Sequence, residues 1–133
     1  FFFSSRRRHT RFLPVSGLGD VYKRQIILSG VSAGGVCWFD WILTDSLGSG
    51  YKPLKGINLI SGSCTPHSLE DNRMSQYQSE IKKNKLPPGV AIDDGVAVLF
   101  VNGVAKEVCS TRENCDAYFV DNNNKISLKE YIK

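Results

Sequence analysis

Residues 26–35 read Ile26-Ile27-Leu28-Ser29-Gly30-Val31-Ser32-Ala33-Gly34-Gly35. An apolar run passes into Gly-x-Ser-x-Gly and then into a helix-like segment. This is the pattern of a nucleophile elbow, a tight strand-to-helix turn that holds one serine hydroxyl out of a sheet. The small residues have a physical role in that reading. Gly30 and Gly34 let two backbones pass closely, and no side chain crowds Ser32. The amide of Ala33 would point to where the oxyanion of a tetrahedral intermediate forms, so Ala33 is the expected oxyanion-hole donor. The bland alternative is a glycine-rich turn whose serine caps the helix.

Downstream of the elbow, strand and helix signals alternate. Ile26–Ser29 is apolar without alternation and reads as a fully buried strand. Residues 33–43 read as a helix, with Val36, Trp38, Phe39, Ile42 and Leu43 giving a broad apolar face. Residues 44–56 read as a loop rich in Gly and Ser, 57–60 as a short strand, and 61–66 as a loop that delivers His67. Residues 70–85 are polar and charged and read as a surface helix. Acids stand at its start and lysines at its end, as the helix dipole favours, and Leu86-Pro87-Pro88-Gly89 stops it. Then the pattern turns to strands: 90–92, a turn at Asp93-Asp94-Gly95, and a hairpin of 96–101 and 104–110 around Asn102-Gly103. A strand at 116–120, a polar turn and a short helix over 127–132 close the chain. The order fits a parallel α/β sheet with an antiparallel edge. Two parallel-type strands are too few for a doubly wound sheet, so the first half of the fold is expected to be missing.

A serine needs a base within hydrogen-bond reach to act as a nucleophile. His67 follows a predicted strand in a loop, where catalytic groups of α/β sheets sit. A third, acidic group should orient the imidazole and stabilise its charged form. Asp45, just after the predicted elbow helix, is favoured; Asp93 and Asp94 are the alternatives, although both also suit turn chemistry before Gly95.

Four strings carry a family resemblance: GVSAGGVCWFDWILTDS (30–46), SGSCTPHS (61–68), LPPGVAIDDGVAVLFVNG (86–103) and EVCSTR (107–112). In this order they resemble the peptidase E (aspartyl dipeptidase) family of serine peptidases, to which cyanophycinase is a more distant relative. The resemblance covers nearly all of residues 26–133. It implies a class I glutamine amidotransferase-like (flavodoxin-like) three-layer sandwich with serine in place of the elbow cysteine. It implies Ser32 as nucleophile, His67 as base and an acid after the elbow helix, matched best by Asp45. It further implies hydrolysis of short peptides, often dipeptides with N-terminal aspartate, with no metal or cofactor. One oxyanion donor would be Ala33, and the other belongs to an upstream glycine-rich turn. A substrate carboxylate needs a cationic partner, for which Arg73 is the nearest candidate; otherwise Arg73 is a solvated helix residue.

Two other classes compete. An α/β-hydrolase esterase also uses Gly-x-Ser-x-Gly, but its acid and histidine lie much further along the chain than His67 lies from Ser32. A non-catalytic relative would keep the elbow without turnover, which the presence of both Ser32 and His67 argues against.

Residues 1–25, FFFSSRRRHTRFLPVSGLGDVYKRQ, show no helical or strand periodicity. A signal peptide would place its basic residues before an apolar core, and here Arg6-Arg7-Arg8 follow the phenylalanines with no such core after them. SSRRRHTR and VSGLGDVYKRQ resemble the conceptual translation of sequencing-adapter read-through. The segment is therefore expected to be non-native and disordered, with the catalytic domain over 26–133. The alternative is a basic arm for nucleic acid or membrane.

Charge is read accordingly. The chain has 17 Lys/Arg and 13 Asp/Glu; six of the former and one of the latter lie in residues 1–25, leaving 11 against 12, a net of −1. No nucleic-acid partner is implied. No apolar run reaches the about 18 residues of a membrane span. Cys37, Cys64, Cys109 and Cys115 lack metal or redox spacing, which suits reduced thiols in a cytoplasmic protein. With half the fold and one oxyanion donor absent, the chain as written is expected to be poorly soluble or inactive; one lost donor costs roughly 100- to 1000-fold in rate.

Overall fold

The computed structural model describes residues 2–5 and 26–132. The strands are β1 (Phe2–Ser5), β2 (Ile26–Ser29), β3 (Phe39–Thr44), β4 (Lys52–Lys55), β5 (Ile60–Thr65), β6 (Gly89–Ile92), β7 (Val96–Val101), β8 (Val104–Ser110), β9 (Ala117–Val120) and β10 (Lys125–Ser127). The helices are α1 (Ala33–Val36), α2 (Arg73–Lys82) and α3 (Leu128–Tyr131). A six-stranded mixed sheet runs β10-β9-β6-β5-β3-β4, and a four-stranded sheet runs β2-β1-β7-β8. Within the larger sheet β3, β5 and β6 are parallel, while β4, β9 and β10 pair antiparallel.

The larger sheet is covered on both faces, and strand alternation divides its side chains between two cores. Val90 and Ile92 of β6 join one core, and Ala91 between them joins the other. The first core lies between the two sheets, where Phe39 meets Phe100 edge to face at 5.4 Å. The second lies under α2, whose Tyr77 and Ile81 pack with Leu43, Leu86, Ala91 and Val120. Burying each such large apolar side chain contributes about 1.5–3 kcal/mol. The molecule is thus mixed α/β, with a central sheet and few helices.

Several sequence expectations are corrected here. The helix expected over 33–43 is one turn, Ala33–Val36, followed by strand β3. Gly34 and Gly35 are poor helix formers, and Phe39, Trp41, Ile42 and Thr44 are strand formers. The helical spacing of Val36, Phe39 and Ile42 arises from an irregularity: the register of β3 on β5 shifts between Phe39 and Trp41. That bulge puts Phe39 on the same face as Ile42, in the same core as Val36. Strand 57–60 is in fact Ile60–Thr65, so the strand itself leads to His67, and β4 lies inside the expected loop. The helix over 70–85 shortens to Arg73–Lys82 and is not merely a surface helix, since Arg73, Tyr77, Glu80 and Ile81 form a buried stripe.

β2 is not fully buried, since Ile27 is 65 % exposed; the strand lies at the edge of the smaller sheet, antiparallel to β1. Phe2–Ser5, part of the segment read as structureless, form β1 between β2 and β7. The backbones of β2 and β7 each offer a row of hydrogen-bonding groups that this segment joins. The rest of the segment, residues 1 and 6–25, lies outside the described residues. The hairpin is as expected: Asn102 at φ 52° and Gly103 at φ 80° make the doubly left-handed turn that Asn-Gly favours. No helix among the described residues is long and apolar enough to cross a membrane.

Candidate active site

β5 and β6 are adjacent and parallel, with Thr65 opposite Ala91. The residues that follow each strand therefore leave the same end of the sheet side by side, as functional groups do in parallel sheets. From β5 this places Pro66 and His67; from β6, Asp93 and Asp94. The Ser68 N–H donates to the Ile92 carbonyl at 3.0 Å, which ties the two loops together.

Ser32 stands between β2 and α1 at φ 51°, ψ −123°, a left-handed backbone that costs a non-glycine residue of order 1–3 kcal/mol. The amides that follow close the turn: Gly34 N–H donates to Val31 O at 3.0 Å, and Gly35 N–H to Ser32 O at 2.9 Å. A Cβ on Gly30 would lie 2.0 Å from the Gly34 carbonyl oxygen, so only glycine fits there. At Gly34 the space is open, and the close approach expected of both glycines depends on Gly30 alone. Ala33 opens α1, so its amide is among those with no partner inside the helix.

The turn brings Ser32 Oγ to 2.8 Å from His67 Nε2. The other ring nitrogen, Nδ1, is held by Asp94 Oδ1. A carboxylate only accepts, so the ring proton sits on Nδ1 and Nε2 accepts from the serine hydroxyl. The imidazole side chain is 31 % exposed and the Asp94 side chain 43 %, so the pair opens to solvent. His67 shares the left-handed backbone of Ser32, at φ 51°. Burial pushes the Cys37 thiol, one residue past α1, up.

Of the acids weighed from sequence, Asp94 meets His67. Asp45 does not: its Oδ2 lies 3.1 Å from Arg73 Nη2. Asp93 turns into the interior and hydrogen-bonds Ser68 Oγ. Arg73 is neither a free partner for a substrate carboxylate nor a solvated residue. Its side chain is 3 % exposed, it also pairs with Glu70 at 2.6 Å, and it lies 4.5 Å over the Tyr51 ring. Buried and already paired with two carboxylates, its guanidinium is not presented to a substrate. The signal for Asp94 in the sequence was its place just past the strand that becomes the parallel neighbour of the one before His67.

A hydroxyl on a base whose far nitrogen is held by a carboxylate can deliver its oxygen to a carbonyl carbon while the base takes the proton. No group of three or more His, Cys, Asp or Glu among the described residues is arranged to hold a metal ion.

Comparison with known proteins places the chain among peptidases. The sequence model of Peptidase family S51 matches residues 12–108, a span that begins inside the segment 1–25. The chain is also similar to the Uncharacterized peptidase YgaJ of Bacillus subtilis (strain 168), with 36 % identity over 104 residues. That alignment takes in 77 % of this chain and 45 % of the relative, so the chain spans about half the relative's length. No solved structure matches the chain.

Proposed function

The chain belongs to peptidase family S51, and from that premise we propose that it carries the Ser32–His67–Asp94 triad of a serine peptidase acting on short peptides. The contact that carries the reading is Ser32 Oγ to His67 Nε2 at 2.8 Å, with Asp94 on the far ring nitrogen. Ser32 Oγ attacks the scissile carbonyl carbon as His67 Nε2 takes its proton. Asp94 holds the ring in the required tautomer and stabilises the imidazolium. The Ala33 amide donates to the oxyanion, together with a second donor from elsewhere in the whole protein. His67 then gives its proton to the leaving amine, and water hydrolyses the acyl-enzyme by the same route in reverse.

The substrates are dipeptides with N-terminal aspartate, and the whole domain is a class I glutamine amidotransferase-like sandwich. Both follow from the resemblance of the four strings. Free cysteines at 37, 64, 109 and 115 support a reducing, cytoplasmic setting.

The test is a fluorophosphonate adduct mapped by mass spectrometry, followed by a panel of Asp-X and X-Asp dipeptides. The adduct is expected on Ser32 and absent from Ser32→Ala. Unlabelled Ser32 in folded protein would overturn the serine-peptidase reading. Equal cleavage of Asp-X and X-Asp would overturn the substrate class alone.

A further inference from the structure

Two neighbouring acids follow β6, at the start of a turn closed by the Val96 N–H on the Asp93 carbonyl, and face opposite ways. Asp94 faces His67. Asp93 is 3 % exposed, and each of its carboxylate oxygens has a donor. Oδ1 accepts from Ser68 Oγ, and Oδ2 accepts from the Asp116 N–H at 2.9 Å. The Asp93 N–H in turn donates to Asp116 O at 3.1 Å. Ser68 is itself buried and directly follows His67.

The two loops are therefore cross-linked by two side-chain bonds in register, His67 to Asp94 and Ser68 to Asp93, beside the Ser68 N–H bond to the Ile92 carbonyl. A carboxylate taken out of water loses hydration that its partners must offset, and a neutral side chain would fill the same space without that cost. The charge is felt nearby: the Tyr118 phenol is pushed up by burial first, and then by Asp93 and Asp116. Meanwhile His67 sits at φ 51°, a backbone that persists only where its surroundings over-determine it. Of the three links between the loops, only Ser68 to Asp93 grips a side chain next to that strained residue and depends on a charged group.

We propose that Asp93 is a positioning residue which, through Ser68, holds the His67 imidazole on Ser32 and Asp94. It rests on the triad reading above and assigns Asp93 no contact with substrate. A charge-assisted bond from a buried carboxylate is shorter and stiffer than a neutral one, which suits an anchor for a ring that must stay within hydrogen-bond reach of two partners.

The experiment uses the 133-residue chain with 15N-labelled histidine and His9→Gln, so that His67 is the one imidazole observed. Two readouts are taken well below the melting temperature: the Nδ1–H tautomer signal, and the rate of fluorophosphonate labelling. Asp93→Ala and Ser68→Ala are each expected to average the tautomers and slow labelling by about 10- to 100-fold, as a misplaced catalytic group does. Asp93→Asn keeps an acceptor for Ser68 and is expected to recover most of that rate. If Asp93→Ala does not fold, Ser68→Ala, which leaves the Asp93 carboxylate on the Asp116 amide, carries the same expectation. A lower melting temperature with tautomer and labelling unchanged would overturn the proposal, because that is what a purely structural carboxylate predicts. Asp94→Asn separates the two readings. If it leaves the His67 spectrum unchanged, the triad itself falls, and Asp93 with it.

Discussion

Two charged constellations flank β5, one at His67 and one at Arg73, and they are built on opposite terms. At His67 a single carboxylate, Asp94, meets an imidazole that is part-exposed, on a backbone held at positive φ. At Arg73 two carboxylates and a tyrosine ring enclose a guanidinium that is 3 % exposed, at the start of a regular helix. The first is open: Nδ1 of its imidazole is held by Asp94, and Nε2 is turned to the Ser32 hydroxyl. The second is closed, with its guanidinium buried against its partners. Similar groups form an open hydrogen-bonded chain where partners are few and the backbone is at positive φ. They yield a structural knot where partners are in excess.

The sharpest way to break this comparison is at the nucleophile. Ser32→Ala is expected to abolish fluorophosphonate labelling while leaving the melting temperature nearly unchanged. Labelling kinetics alongside a thermal melt checks both halves.

Next comes the exchange of acids. Asp94→Asn should cost about 10²- to 10⁴-fold in rate, because an amide in that place selects the wrong imidazole tautomer. Asp45→Asn should leave the rate within about threefold, since that carboxylate serves Arg73. If Asp45 carries the larger loss, the assignment of the two acids is reversed.

A third test turns from rate to stability. Asp45→Asn combined with Glu70→Gln strands the buried Arg73 guanidinium without a counter-charge and should cost about 3–5 kcal/mol in denaturant unfolding. Arg73→Met should cost less, because the two carboxylates it leaves behind are 59 % and 46 % exposed and regain water. Equal losses would mean that the pair is not closed as described.

The smallest effects sit in the elbow. Gly30→Ala drives a methyl into the Gly34 carbonyl and should cost about 1–3 kcal/mol. Gly34→Ala meets open space and should change stability by less than about 1 kcal/mol.

The distinction between the acids also marks how far the chain alone could be read. Gly30, Ser32 and Gly34 announced the elbow, and Asn102-Gly103 announced the hairpin, because each depends on residues within a few positions of one another. His67 was legible as the partner of Ser32 once a loop after a strand was recognised. Asp45 and Asp94 were not separable in the same way. Asp45 follows β3 and Asp94 lies two residues past β6, and both strands run parallel to β5 on either side of it. Each acid thus stands at the sheet end where His67 emerges. What selects between them is Arg73, 28 residues from Asp45 in the chain, which captures that carboxylate and leaves the imidazole to Asp94. The strand at Phe39–Thr44 was misread for a related reason, since a bulge counterfeited helical spacing.

Local spacing therefore carried the turn at Ser32, the hairpin and the family, because backbone sterics and short-range patterns express themselves over a handful of residues. Strand order, the choice of acid and the burial of Arg73 depend on which segments become neighbours. That is a property of the packed chain, decided by long-range burial and competition among charges that no stretch of sequence contains.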